Sequence, residues 1–364
     1  MPTIKDVARH AGVSVSTVSY ALSGKRRISA ETRERVQQAI HALGYRPHAG
    51  AQALASRRSQ ILALFMPAAD YFSVSVGMAF VTAITSAARA RGYDVLLMTA
   101  DEGDEGLRRV AHSALADGVL TMEVSVDDAR VATIRELGIP AALLGQPDDP
   151  RGLPWVDLDF AGAGVLCVEH LAGLGHRRIG LLGPNHGALE RRLGYAVRTL
   201  GGVRLAADRL ALSLVTERSP AVRPRLADAV RRLLAAEPRI TALIVHDQEA
   251  LTTVEEVLAM DGVAVPTDLS VLTLTSAATA QRISPTLTFV DLPVAAMAEH
   301  AVDLIVGAIA GDTAAHVLLA PVLHERGSTA APHRLGDPVV LSHVRPEPNE
   351  HPKDLSTPHE QGAP

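Results

Sequence analysis

Thr3-Ile4-Lys5-Asp6-Val7-Ala8-Arg9-His10-Ala11-Gly12-Val13-Ser14-Val15-Ser16-Thr17-Val18-Ser19-Tyr20-Ala21-Leu22-Ser23-Gly24 reads as two short helices joined by a tight turn. Ile4, Val7, Ala8 and Ala11 recur at i, i+3, i+4 and i+7, which makes one apolar stripe on a helix over 4–11. Thr3 and Asp6 have the spacing of a capping box. Gly12 tolerates the positive φ that ends a helix, and Ser14 is placed to cap a second helix over 15–23. That helix turns Val18, Ala21 and Leu22 inward. Val15, Ser16, Thr17, Ser19 and Tyr20 are left on its other faces, and side chains so small or polar suit a DNA groove better than a core. Gly24 ends the helix, and Lys25, Arg26 and Arg27 follow as a basic loop. Ser29 caps a third helix over 30–43, whose Val36, Ala39, Ile40 and Leu43 complete a miniature core. So few apolar residues make a marginal domain, so support from a neighbouring subunit or from DNA is expected.

Charge separates this segment from the rest. Residues 1–58 hold ten Lys and Arg against Asp6, Glu31 and Glu34, a net of +7, whereas the whole chain of 364 residues is −5, which leaves −12 for residues 59–364. A basic head on an acidic body is the footprint of one nucleic-acid domain attached to something else.

Together with the first-helix residues, the runs Ala11-Gly12-Val13-Ser14, Thr17-Val18-Ser19 and Ala21-Leu22-Ser23-Gly24 form a dense motif. It continues through Glu31-Thr32-Arg33-Glu34-Arg35-Val36 and Leu43-Gly44-Tyr45-Arg46-Pro47. The motif resembles the headpiece of the lactose-repressor and galactose-repressor family of bacterial transcription regulators. The resemblance implies that Val15, Ser16 and Tyr20 meet base edges, and that Ser14, Thr17 and Ser19 meet nearby bases or phosphates, with Thr3 and Ser29 completing the DNA-facing set. Tyr20 stands where several members carry a guanine-reading arginine, so their operator sequences do not transfer.

Residues 48–58 are alanine-rich and too short for a stable isolated helix, and Gly50 weakens it by about 1 kcal/mol relative to alanine. The resemblance implies a hinge helix that orders on operator DNA, with Leu54 wedging between base pairs of the minor groove. The reading from residues alone is a linker with one incidental leucine.

From about Ile61 to Leu323 strand-like and helix-like segments alternate. Strands are expected at 61–66, 94–99, 118–122, 141–144, 178–182, 213–216, 242–246 and 269–274. Helices are expected at 74–91, 107–116, 129–137, 164–174, 189–200, 222–235, 248–260 and 293–309. Continuous apolar strands between amphipathic helices imply parallel sheets covered on both faces. Two such series give two doubly wound lobes with a cleft between them. Further marks carry the family resemblance into this region: Ala88-Arg89-Ala90-Arg91-Gly92-Tyr93, His170-Leu171, Leu174-Gly175-His176-Arg177-Arg178-Ile179, Arg191 with Gly194-Tyr195, and Asp247 with Ala250. It implies a periplasmic-binding-protein-like effector sensor, with a crossover near 287–291 and the last helix.

Ligand sites in such folds lie at the carboxyl ends of strands. The candidates are Asp70, Tyr71 and Phe72 after the first strand, then Asp159, Arg191 and Asp247. Arg191 would clamp a carboxylate or hydroxyl, and the aspartates would accept from hydroxyls or amines. The family's glycine-aromatic-aspartate turn is here Thr273-Leu274-Thr275, where Thr275 can hydrogen-bond but supplies no charge. Aromatic residues make up 3% of the chain, few for stacking on a sugar. A simple hexose is therefore not expected, and loss of effector binding stays open.

No metal site or cofactor is expected. Gly183-Pro184-Asn185-His186-Gly187 lacks the lysine and following hydroxyl of a phosphate loop, and Glu169-His170 lacks the second histidine of a metalloprotease helix. One cysteine, Cys167, excludes an internal disulfide and a structural zinc site. No apolar run approaches the roughly 18 residues that cross a bilayer, and no signal segment is evident, so a cytoplasmic protein with no membrane partner is expected.

The expectation is an all-α helix-turn-helix headpiece (1–47), a hinge (48–58), an α/β two-lobed core (59–330) and a disordered tail (331–364). The function expected is that of a dimeric DNA-binding transcription regulator, a repressor, controlled by a small-molecule effector such as a sugar or related metabolite. One headpiece reads too few base pairs alone, so a homodimer on a pseudo-palindromic operator is expected. The alternatives are a small-molecule binding protein with a vestigial headpiece and a ligand-independent DNA-binding protein.

Overall fold

The cap residues of the N-terminal segment act where their sequence places them in the computed structural model. It describes residues 2–23, 28–45, 58–66, 74–99, 103–113, 115–220, 223–236, 239–281, 286–312 and 315–332. The basic loop at 25–27, the hinge up to residue 57 with its Leu54, the segment holding Asp70, Tyr71 and Phe72, and the tail from 333 onward lie outside the described residues. Three helices open the chain, α1 (Ile4–Ala11), α2 (Val15–Ser23) and α3 (Ala30–Leu43). The Asp6 carboxylate accepts from the Thr3 backbone N–H at 2.9 Å and from its hydroxyl at 2.8 Å. Gly12 and Gly44 terminate α1 and α3 at φ 65° and 58°, the left-handed region open to glycine. Val7, Val18, Val36 and Ala39 are buried together with Tyr45, which closes the small core.

A first βα series follows, with β1 (Ile61–Met66), α4 (Val74–Ala90), β2 (Asp94–Thr99), α5 (Gly103–Ser113), β3 (Gly118–Thr121), α6 (Ala129–Leu137), β4 (Ala141–Leu144) and β5 (Trp155–Leu158). The second series holds α7 (Phe160–Gly173), β6 (Arg178–Asn185), α8 (His186–Glu190), α9 (Gly194–Arg209), β7 (Ser213–Ser219), α10 (Arg223–Leu234) and β8 (Ala242–Val245). It continues with a 3₁₀ turn at Gln248–Ala250, α11 (Leu251–Met260), β9 (Ser270–Thr275), α12 (Ala277–Ala280) and β10 (Thr288–Asp291). The last elements are α13 (Val294–Ala310), β11 (His316–Leu319) and β12 (Leu323–His324).

The strands form two sheets, ordered β11-β5-β4-β3-β1-β2 and β12-β10-β9-β8-β6-β7. Pairing is parallel throughout except for β12, which runs antiparallel to β10. The chain passes between lobes at Asp159, at Leu292-Pro293 and between β11 and β12, so α13 returns to pack on α4, β3, β4 and β5 of the first lobe.

Several elements depart from the sequence expectation. The strand β5 is absent from it, being four residues long with Pro154 before it and Asp157 inside it; β11 and β12 are also too short to show a period. Helix α7 begins at Phe160, four residues early, because Asp159 caps it by accepting from the Gly162 N–H at 2.8 Å. Helix α5 begins at Gly103, where Asp104 and Glu105 in the first turn complement the helix dipole. The expected helix over 189–200 is two helices, α8 and α9, divided at 191–193.

Two glycines let α7 and α9 pack backbone to backbone. A Cβ on Gly202 would lie 2.1 Å from the Ala161 carbonyl oxygen, and one on Gly164 would lie 2.4 Å from the Thr199 carbonyl oxygen. Neighbouring Gly201 has nothing within 4 Å of such a Cβ. Alanine favours a helix over glycine by about 1 kcal/mol, whereas overpacking against backbone destabilises by roughly 1–3 kcal/mol. Urea unfolding should therefore show Gly202→Ala destabilised and Gly201→Ala unchanged or stabilised. Equal behaviour of the two would refute the close helix contact.

Candidate nucleic-acid interface and ligand cavity

The DNA-facing candidates are grouped at the start of α2. Val15 is 41% exposed, Ser14 and Ser16 are exposed, and Thr17, Ser19 and Tyr20 are partly buried. The Ser14 Oγ lies 2.7 Å from Ser16 Oγ and 2.8 Å from Thr17 Oγ1, and it accepts the Thr17 N–H at 3.1 Å. Capping thus fixes a small cluster of hydroxyls on the exposed end of the helix. Such hydroxyls suit phosphates or base edges, and an exposed valine suits a thymine methyl. Thr3 and Ser29 are exposed at the caps of α1 and α3, and Ser29 Oγ accepts the Thr32 N–H at 3.2 Å. Lys5, Arg9, Arg33 and Arg35 are exposed around them.

The second site is a cavity of about 150 Å³ at the carboxyl ends of the strands of both sheets. Met122, Glu123 and Val124 after β3, Leu144 and Gly145 at the end of β4, and Asp157 and Leu158 of β5 line it from the first lobe. Asn185 of β6, His246, Asp247 and Gln248 after β8, Leu274 of β9, and Val290 and Asp291 of β10 line it from the second. Phe160, Leu292 and Met297 close it where the chain crosses, and Val76, Phe80 and Tyr195 complete the wall. On one flank the lobes are joined by backbone hydrogen bonds of 2.9 Å, from the Gly194 N–H to the Val124 carbonyl and from the Val126 N–H to the Arg192 carbonyl. Arg198 adds bonds to the Gln146 carbonyl at 2.7 Å and to Asp148 at 2.9 Å.

Burial sets the electrostatics. It pushes the Glu123 carboxyl up to about 8, against the pull of Arg130 and Arg191, and its Oε2 has no hydrogen-bond partner. Glu123 also holds φ at 49°, in the left-handed region a glutamate seldom adopts. Burial pushes Asp157 up to about 6, opposed by the Gln146 and Leu158 N–H groups at 2.9 and 3.0 Å. Burial also raises Asp247, although Ser219 donates to it at 2.6 Å and the Glu249 N–H at 3.1 Å. His246, the residue before it, is held down to about 4 by burial, and its Nδ1 is unpartnered. Its ring lies parallel to that of Tyr195, centroids 5.9 Å apart.

Of the effector candidates named from sequence, Asp247 lines the cavity. Asp159 does not: the chain leaves β5 after Leu158, and the Asp159 carboxylate caps α7, while Asp157 two residues earlier reaches the cavity. Arg191 is exposed at the C-cap of α8, outside the lining, with its charge reaching Glu123. Thr275 is fully buried and donates to the Gln248 side-chain carbonyl at 2.8 Å, so it positions a lining residue instead of lining the cavity itself. Asp70, Tyr71 and Phe72 lie outside the described residues. Sequence reading missed Glu123 and His246. The available signal was their place directly after strands β3 and β8.

The family model of bacterial regulatory proteins, lacI family, matches residues 3–48, and that of the periplasmic binding protein-like domain matches residues 168–329. The HTH-type transcriptional regulator CelR of Thermobifida fusca is 30% identical over 336 residues, covering 89% of this chain and 96% of the relative. The regulator MalR of Streptomyces coelicolor is 31% identical over 356 residues, covering 92% and 99%. The chain belongs to the lacI family of bacterial regulatory proteins. As a lacI-family member it is a DNA-binding transcription regulator, with the two-sheet α/β core expected of it. Among solved structures, the lac repressor dimer bound to operator and the anti-inducer ONPF is 25% identical and covers 91% of this chain and 99% of that one, with a TM-score of 0.77. The CelR-cellobiose complex is 26% identical over 90% and 100%, with a TM-score of 0.65. No described helix is long and apolar enough to cross a membrane.

The raised Glu123 carboxyl has a measurable consequence. A group whose folded value lies above its unfolded value, here about 8 against 4.5, contributes stability that is complete below the unfolded value and is lost as pH rises through the folded one. Glu123→Gln removes that loss. The stability gained by the variant over the parent should grow between about pH 4.5 and pH 8, by an amount on the order of a few kcal/mol. Parallel pH–stability profiles for the two proteins would contradict the buried placement of this carboxyl.

Proposed function

We propose that this regulator binds a pseudo-palindromic operator as a homodimer, acts as a repressor, and is controlled by a small molecule held in the cavity between its lobes. The carrying observation is that one chain joins an exposed, hydroxyl-rich α2 face to a cavity shared by two lobes. A ligand filling that cavity would meet residues at the ends of β3, β5, β8 and β10 and could act on both lobes at once. The relatives support the reading: one solved complex holds operator DNA and an anti-inducer, and another holds cellobiose. Two α2 helices related by a dyad would read symmetric half-sites.

In this reading Val15, Ser16 and Tyr20 meet base edges, while Thr3, Ser14, Thr17, Ser19 and Ser29 meet phosphates or nearby bases. Leu54, assigned from its place in the sequence, enters the minor groove from the hinge. Asp247 is the effector anchor already at the cavity, with Arg191 closing on the ligand from the α8–α9 break. Asp70, Tyr71 and Phe72, assigned from their place in the sequence after β1, are further effector candidates. Effector binding changes lobe closure and with it the spacing of the two hinges.

Selection of DNA fragments by the purified protein, with a metabolite panel present or absent, tests the whole scheme. A palindromic site released or tightened by one compound is the expected result. Tyr20→Ala should weaken the selected site by about 1–3 kcal/mol and leave nonspecific binding unchanged, as removal of a base-reading side chain does. Leu54→Ala should lower operator affinity with the fold intact, and Arg191→Ala should abolish the effector response while DNA binding persists. Fragments without a shared sequence, or a Tyr20→Ala protein with unchanged selectivity, would overturn the assignment of α2.

A further inference from the structure

Of the four buried side-chain atoms without a hydrogen-bond partner among the described residues, two belong to residues that line the inter-lobe cavity: Oε2 of Glu123 and Nδ1 of His246. The first residue belongs to the first lobe and the second to the other. Much of the remaining lining is apolar, from Met122, Leu144, Leu274, Leu292 and the rings of Phe80 and Phe160. The lining residues include four acids, Glu123, Asp157, Asp247 and Asp291, and among the described lining residues there is no lysine or arginine.

We propose that the effector is an amine with an apolar body: its ammonium group pairs with Glu123, and a second hydrogen-bond donor meets His246 Nδ1. This assignment rests on the reading of the cavity as the effector site. A buried carboxyl oxygen without a partner is costly, and an ammonium supplies a donor together with the charge that lets the carboxyl ionise. Arg130 directs its Nε and Nη2 to Asp128 and to the carbonyls of Met122 and Glu123, and reaches the Glu123 carboxyl through its charge. Arg191 contributes charge from an exposed position outside the lining. The other acids are already provided for: Asp157 by two backbone N–H groups, Asp247 by Ser219 and the Glu249 N–H, and Asp291 by the Ala277 N–H at 3.3 Å. An anionic ligand would meet acids without a lining cation. A polyhydroxylated sugar would bring its hydroxyls to acids of which three already accept hydrogen bonds from the protein, and each unmatched hydroxyl would carry its own desolvation penalty.

The test is calorimetric titration of the full chain at pH 7 with 2-phenylethylamine, tyramine and cyclohexylamine, against the alcohols 2-phenylethanol, tyrosol and cyclohexanol and against cellobiose. Operator binding is measured on the same samples. Each amine should bind at least tenfold more tightly than the alcohol of the same skeleton, and Glu123→Gln should erase that preference. Titration in two buffers of different ionisation enthalpy gives a readout independent of the variant. Seating an ammonium on Glu123, held protonated by burial at this pH, ejects a proton that an alcohol does not. Amines and alcohols of equal affinity, or binding with no proton release, would overturn the assignment. Cellobiose binding without amine binding would also overturn it while leaving ligand-controlled regulation standing. Sharp operator sites indifferent to every ligand found to bind would instead sink the effector reading on which it rests.

Discussion

Parallel strand pairing is the constraint on which the rest of this molecule depends. In a parallel sheet all strands point the same way, so every loop at the carboxyl edge can carry a functional side chain, and the helices must cover both faces. Here two such sheets are joined by three crossings, at Asp159, at Leu292-Pro293 and between β11 and β12, and their carboxyl edges face one cavity. The chemistry of the cavity follows from that edge: Glu123, His246 and Asp247 each stand within two residues of the end of a strand. The close contact of α7 and α9 through Gly164 and Gly202 holds the helix whose first turn carries Tyr195, a residue of the cavity wall.

The headpiece follows a different logic. Its few apolar residues close a core only because each helix is started and stopped by its own sequence: Thr3 with Asp6, Gly12, Ser14, Ser29 and Gly44. The same hydroxyl that caps α2 belongs to the surface proposed to meet DNA, and in that reading local helix stability and recognition share residues. This sharing accounts for a face rich in serine and threonine, where longer side chains would be better helix formers.

Most of this was legible from sequence because the signals are local. The three headpiece helices were readable from caps and apolar spacing, and the two lobes from alternating strand and helix patterns. What escaped was set by tertiary context. The strand β5 carries Asp157 in its interior, which breaks the apolar run, yet the neighbouring strands β4 and β11 hold it in the sheet. Arg191, Asp159 and Thr275 were chosen from position in a motif, and the fold assigns two of them other work, a helix cap for Asp159 and a bond to Gln248 for Thr275. Glu123 was invisible because nothing in a short loop after a four-residue strand marks a glutamate as buried.

In the proposed scheme, occupancy of the cavity governs how the headpieces hold DNA. Operator affinity of the purified full chain, followed as a cavity ligand is titrated in and repeated with Asp247→Asn, tests this. That affinity should change with ligand occupancy, and the variant should bind the operator normally but no longer respond. Operator affinity that stays constant while the cavity fills would contradict it.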